Sequence, residues 1–407
     1  MDKLFPTLIS LTALAIGDEE PSDGEHAAER ERLTSDIAAA NCVPRLAALA
    51  KVQNIESLVY TGLLRAGVPE SAEGMVKLRN AAFGRALVCE RQSAAYQRIS
   101  SALEAAGLDY LPLKGLVSRE LYTSVDQRPM GDLDILIRSD KLDEASEVMH
   151  SMGYSSEPGF YHEHPFDNGS VHVELHTALI SSINADFYPY FGDGWSRAKH
   201  REGHLWRYSR EDELVYSVVH FAKHYRNGGA GVKFVVDIEQ YIRRVPELDV
   251  GYVREELDSL GLGSFFDNIL RLCRVWFEGG EYDDVTLLMT ECIYRGGIFG
   301  TSERRIAAQV ARETDGDVAA ASHKHVLRMM FPRYKDMKKI CPFVERTPLL
   351  LPAGYAVRAL RLLFFRRDRI HGLVSEVKGA SPENTQKFIG ELNAVGLNTC
   401  HMDDNDM

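Results

Sequence analysis

Asp132 and Asp134 stand two residues apart in Gly131-Asp132-Leu133-Asp134-Ile135-Leu136-Ile137, at the head of an apolar run. If that run is a strand, both carboxylates face one way while Leu133, Ile135 and Ile137 face the other. Two unpaired acids on one face repel each other and resist desolvation, so a packed interior suits them poorly. A divalent cation that prefers hard oxygen ligands suits them well.

The elements around this pair must position it. Residues 108–113 predict a strand, Lys114-Gly115 a turn, and residues 116–122 the opening of a helix. Amides at such a helix start, with the positive end of its dipole, can receive phosphate, and Lys114 adds a mobile positive charge there. After the aspartates, residues 140–152 read as a helix. Asn168-Gly169 then separates residues 160–166 from residues 171–177, the strongest hairpin signal in the chain. In the second arm Val171, Val173 and Leu175 alternate with His172, Glu174 and His176, so one face is apolar and the other carries His-Glu-His. His162 and His164 lie on the opposing arm, which also raises a histidine-rich transition-metal site and a metal hydrolase as an alternative.

Composition narrows the setting. The chain has 407 residues, 45% hydrophobic and 26% charged, enough for a substantial core and two or three domains. Its net charge of -12, from 47 Lys+Arg against 59 Asp+Glu, disfavours a nucleic acid partner. The six cysteines form no CxxC pair, so no zinc knuckle or compact disulfide framework is indicated and a cytoplasmic setting is expected. Residues 4–16 predict a first helix and not a signal peptide, since Asp2 offsets Lys3 and no clear cleavage site follows. No apolar run reaches the roughly 20 residues of a membrane span. Residues 349–369 read as a core helix with a basic exposed side. Residues 17–25 read as an acidic loop, and residues 403–406 as a frayed tail.

Taken in order, the strand, the Lys-Gly turn, the helix, Arg128-Pro-Met-Gly-Asp-Leu-Asp134, the next helix, the hairpin and Val173-Glu-Leu-His176 resemble the uncharacterised nucleotidyltransferase family of the DNA polymerase beta superfamily. His220-Phe-Ala-Lys-His224 and Phe234-Val-Val-Asp-Ile238 are similar to that family's helical part. The resemblance implies an α+β fold: a small mixed β-sheet nucleotidyltransferase core with helices, flanked by mostly helical N-terminal and C-terminal regions. The texture of the chain divides accordingly into residues 1–106, 107–204 and 205–407.

The resemblance further implies a transferase that moves a nucleoside monophosphate from an NTP such as ATP to a small-molecule or protein acceptor, using Mg²⁺ or Mn²⁺. In such enzymes two strand acids and a third on a neighbouring strand hold the metal. Asp132 and Asp134 match the first two, and Glu174 is the expected third or a base for the acceptor hydroxyl. Lys114 and Gly115 take the place of the superfamily's Gly-Ser phosphate turn, with Lys where the Ser is absent. Arg128 fits a phosphate contact, because guanidinium donors match oxyanion geometry, or a salt bridge to one of the aspartates. A non-catalytic nucleotide-binding or antitoxin-like module is the alternative within the same fold.

Further residues are expected around the site or its substrate: His172, His176, His220, His224, Lys223, Lys233 and Asp237. His220 and His224 lie four apart on one helical stripe, but HFAKH lacks the acid that a zinc protease motif needs. A pairing of His220 with Asp237 is expected instead.

Overall fold

Leu133, Ile135 and Ile137 lie in one buried cluster with Val171, Val173 and Leu175, which gives the central sheet its apolar side. A computed structural model describes residues 4–17, 32–37, 41–159, 162–182, 184–298, 300–314, 316–365, 374 and 376–398. Most of the expected acidic loop at residues 17–25, the tail at 403–406 and the basic end of the 349–369 segment lie outside the described residues.

The fold is α+β. Seven strands form one mixed sheet: β1 (Tyr110–Pro112), β2 (Leu133–Ile137), β3 (Ser155–Ser156), β4 (Glu163–Asp167), β5 (His172–His176), β6 (Lys199–Glu202) and β7 (Leu205–Arg207). Their order is β3-β4-β5-β2-β1-β7-β6. The central pair β2 and β5 is parallel, with Leu133 opposite Val173 and Asp134 opposite Glu174. β1 runs antiparallel to β2 and parallel to β7. The long helix Met75–Ala105 covers the apolar side, contributing Ala95, Ile99 and Leu103 to the cluster, and the helix Leu142–Ser151 adds Ala145 and Met149.

The β4–β5 hairpin forms where Asn168-Gly169 predicts it. Gly169 takes φ of +77°, and Asn168 Oδ1 accepts from the amides of Ser170 and Val171, so the turn is closed by its own side chain. The expected helix at 116–122 is shorter than its pattern suggests. One α turn, Gly115–Ser118, runs into a 3₁₀ turn, Arg119–Leu121, and Tyr122 then turns extended. That exit lets the Tyr122 hydroxyl reach Asp237.

The described chain divides into two compact units. The first, residues 1–222 and 231–298, holds the sheet and the helices Leu4–Ile16, Val43–Gln53, Glu56–Arg65, Val232–Arg244, Val250–Ser259, Gly263–Phe277 and Asp284–Gly296. The helix Arg210–Arg226 begins in the first unit and ends in the second. Gly62 is required in the first unit, since a Cβ there would lie 2.1 Å from the Leu11 carbonyl oxygen. The second, residues 223–230 and 299–407, is helical and has two small cores, one around Val310, Ala321 and Ala380 and one around Met337, Cys341 and Val344. No described helix is long and apolar enough to cross a membrane.

Candidate active site

On the face of the sheet opposite the apolar cluster, β2 presents Asp134 and β5 presents His172, Glu174 and His176, with Asp132 just ahead of β2. The parallel register sets Asp134 directly opposite Glu174. Asp134 is buried, and its Oδ1 accepts from Lys114 Nζ at 2.6 Å and from His176 Nε2 at 2.8 Å. A carboxylate can only accept, so Nε2 of His176 carries the proton in this contact. The same Nε2 lies 3.5 Å from Glu174 Oε2, and His172 Nε2 lies 3.8 Å from Glu174 Oε1.

Lys114 therefore does not swing freely at the turn. Its ammonium is held on Asp134, and its backbone adopts φ of +48°, ψ of -119°, a region that residues with a Cβ avoid. The turn holds this conformation with local bonds: Leu113 N donates to the Asp134 carbonyl, and the amides of Val117 and Ser118 donate to the Lys114 carbonyl. Gly115 follows because nothing larger fits, as a Cβ would meet Met130 Sδ at 2.4 Å. Met130 is itself anchored by Gln92 of the long helix, whose Nε2 donates to the Met130 carbonyl at 3.2 Å.

The charges are unequal in consequence. Burial alone would raise Asp134, but Lys114 and His176 outweigh it and hold the carboxyl below its ordinary range. Asp132 has burial and the neighbouring Asp134 charge against it, and Lys114 offsets them only in part, so it is pushed up to about 6. The His176 hydrogen bond draws Glu174 down. Burial and the Lys114 charge oppose protonation of His176, yet its bonds to Asp134 and Glu174 leave it raised overall.

Arg128 is buried in a different arrangement. Its Nε donates to Asp237 Oδ1 at 2.6 Å, and the Tyr122 hydroxyl donates to the same oxygen at 2.7 Å. Arg128 thus pairs with Asp237, and not with Asp132 or Asp134 as one reading of the sequence had it. Asp237 accepts from Arg128 and Tyr122, and the His220 ring stacks on Tyr216 and packs against Phe234. Lys233 forms no hydrogen bond or ion pair among the described residues. Its ammonium lies 5.2 Å from the Phe234 ring centroid, within range of Arg128, Asp237, Asp132 and Asp134. Burial and Arg128 together bring it down to about 8. Lys223 and His224 belong to the second unit, at the end of the helix Arg210–Arg226.

Tyr216 lies beside these groups, a neighbour that sequence reasoning missed. It is buried, donates to the Leu179 carbonyl at 3.2 Å, and lies near enough to Lys114 and Asp134 for both charges to act on it. Nothing in its apolar helical setting distinguishes it from a core tyrosine. Glu163 was missed as well, although counting the hairpin register back from the turn places it opposite His176.

Asp132, Asp134 and Glu174 offer hard carboxylate oxygens, but the ligand atoms that converge within 4.8 Å of one another are those of Asp134, Glu174 and His176, with Asp132 outside that group and its carboxyl pushed up to about 6. Such a group can hold a divalent cation. No curated protein and no solved structure matches this chain. A family model described as uncharacterised nucleotidyltransferase matches residues 41–278, more than half of the chain, and spans the Lys-Gly turn, Asp132, Asp134 and Glu174. With that match over the facing acids, the chain belongs to the uncharacterised nucleotidyltransferase family.

Proposed function

We propose that the protein transfers a nucleoside monophosphate from an NTP to a hydroxyl or phosphate on a small molecule or a protein, in a reaction dependent on Mg²⁺ or Mn²⁺. The observation that carries this reading is the register of β2 on β5, which sets Asp134 opposite Glu174 with Asp132 on the same side. A bound divalent cation would supply charge neutralisation for the phosphates and for the departing pyrophosphate. Asp132, Asp134 and Glu174 are the residues that would hold it.

The remaining work falls to the chain's own groups. Lys114, bonded to Asp134, would pass its ammonium from that carboxylate to a phosphate oxygen when substrate arrives, a role its ion pair with Asp134 supports. Lys233, with no ion pair of its own among the described residues, is the second cation available to the triphosphate. Arg128 acts at one remove, holding the loop before β2 through its bond to Asp237. Glu174, kept ionised by His176, is the candidate base for the acceptor hydroxyl. We assign the enzyme to the cytoplasm, where thiols stay reduced, and no disulfide joins the cysteines among the described residues.

Incubation of the purified chain with each α-labelled NTP, Mg²⁺ and a cell extract tests this reading. Label on an extract component together with released pyrophosphate is expected, and both are lost with Asp134→Asn. Tight NTP binding without pyrophosphate release from any of the four nucleotides would contradict transfer.

A further inference from the structure

We propose that His162, Glu163 and His176 hold one transition-metal ion of the zinc class, beside Asp132, Asp134 and Glu174 on the same sheet face but with none of those three carboxylates as a ligand. One ligand atom from each of the three residues lies within 4.8 Å of the other two. Glu163 is the direct cross-strand partner of His176 in the β4–β5 ladder. His162 Nε2 lies 3.7 Å from Glu163 Oε1, and the two imidazole rings are 5.9 Å apart between centroids.

The ring of His176 is fully buried. Its Nε2 donates to the Asp134 carboxylate at 2.8 Å. Its other nitrogen, Nδ1, is buried with no hydrogen-bond partner among the described residues. A histidine that ligates a metal commonly donates its second ring N–H to a carboxylate, which fixes the tautomer and leaves the opposite lone pair for the ion. His176 has that arrangement, with Asp134 as the carboxylate and Nδ1 as the open lone pair.

Donor chemistry selects the ion. Two imidazoles and one carboxylate suit zinc and its neighbours, whereas Mg²⁺ prefers oxygen donors and water. Ligand atoms around a tetrahedral zinc lie roughly 3.3 Å apart, so shifts of about 1 Å in the side chains close the group and leave the fourth position to water. This reading stands whether or not the protein transfers nucleotides.

The test uses the full chain, stripped with chelator and then titrated with Co²⁺ and Zn²⁺ in excess Mg²⁺, so that the carboxylate face is occupied. One Co²⁺ per chain is expected, with visible absorption bands of low-coordinate cobalt that equimolar Zn²⁺ abolishes. Glu163→Gln and His162→Asn each weaken Zn²⁺ binding by about tenfold or more, and Asp132→Asn leaves it intact. Circular dichroism checks the fold of each variant, and the partly exposed Glu163 makes Glu163→Gln the safer of the two. Absence of cobalt bands in the folded parent, unchanged Zn²⁺ affinity in folded Glu163→Gln, or loss of Zn²⁺ binding only in Asp132→Asn would each overturn the proposal.

Discussion

Lys114 Nζ lies 2.6 Å from Asp134 Oδ1, joining a turn residue with φ of +48° to the middle of the sheet's polar face. Both groups are largely withdrawn from water. Removing one charge of such a pair leaves the other buried without compensation, so Asp134→Asn is expected to lower stability by about 3–5 kcal/mol. Urea denaturation at pH 7 measures this directly. A change below about 1 kcal/mol would mean that Lys114 finds water or another acid without cost.

Asp132 should respond in the opposite sense. Its folded value of about 6 exceeds that of an unfolded aspartate, so the folded state binds the proton more tightly between roughly pH 4 and 6. Through that window this group makes stability fall as pH rises, and the full penalty is present above pH 6. Asp132→Asn removes the repulsion, and a gain of about 1–3 kcal/mol at pH 8 is expected, shrinking toward zero near pH 4. Denaturant midpoints across that range give the profile, and a uniform loss of stability would refute it.

Lys233 carries a second pH signature. Its folded value of about 8 lies below that of an unfolded lysine, so between roughly pH 8 and 10.5 the unfolded chain binds more protons and stability rises with pH. Lys233→Met is therefore expected to stabilise the protein by about 1–3 kcal/mol at pH 7 while weakening triphosphate binding about tenfold. The parent's affinity for triphosphate should also decline as pH climbs through 8, and the variant's should not. A variant that is both less stable and undiminished in binding would remove Lys233 from the site.

The Arg128–Asp237 pair sits apart from the facing acids yet anchors the loop that leads to them. Arg128→Ala is expected to cost about 3–5 kcal/mol, because the Asp237 charge is left buried without its direct ion-pair partner and keeps only the Tyr122 hydrogen bond and the more distant Lys233 charge. Replacing both charges with apolar residues should cost clearly less than the sum of the single changes. Additive losses in a double-mutant cycle would show that the two groups are not coupled.

The acids at 132 and 134 were legible because period-2 alternation marks a strand and its faces. The hairpin was legible because Asn168-Gly169 has its own turn chemistry. Other features rest on contacts between distant residues, which no local pattern encodes. The bond from His176 to Asp134 spans 42 residues and that from Arg128 to Asp237 spans 109. The positive φ of Lys114 was hidden as well, since lysine gives no hint of a strained turn. The β6–β7 hairpin also went unannounced. All four residues of β6 are exposed and polar or charged, so the strand carries no apolar alternation.

We propose that Asp132, Asp134 and Glu174 together serve one cation site for a nucleoside triphosphate. Calorimetric titration of the parent, Asp132→Asn, Asp134→Asn and Glu174→Gln with ATP, CTP, GTP and UTP tests it most directly, run with Mg²⁺ and again with EDTA. Mg²⁺-dependent binding of at least one nucleotide to the parent is expected, weakened about tenfold or more in each of the three variants. Equal affinity in all four folded proteins, or binding unaffected by EDTA, would contradict it.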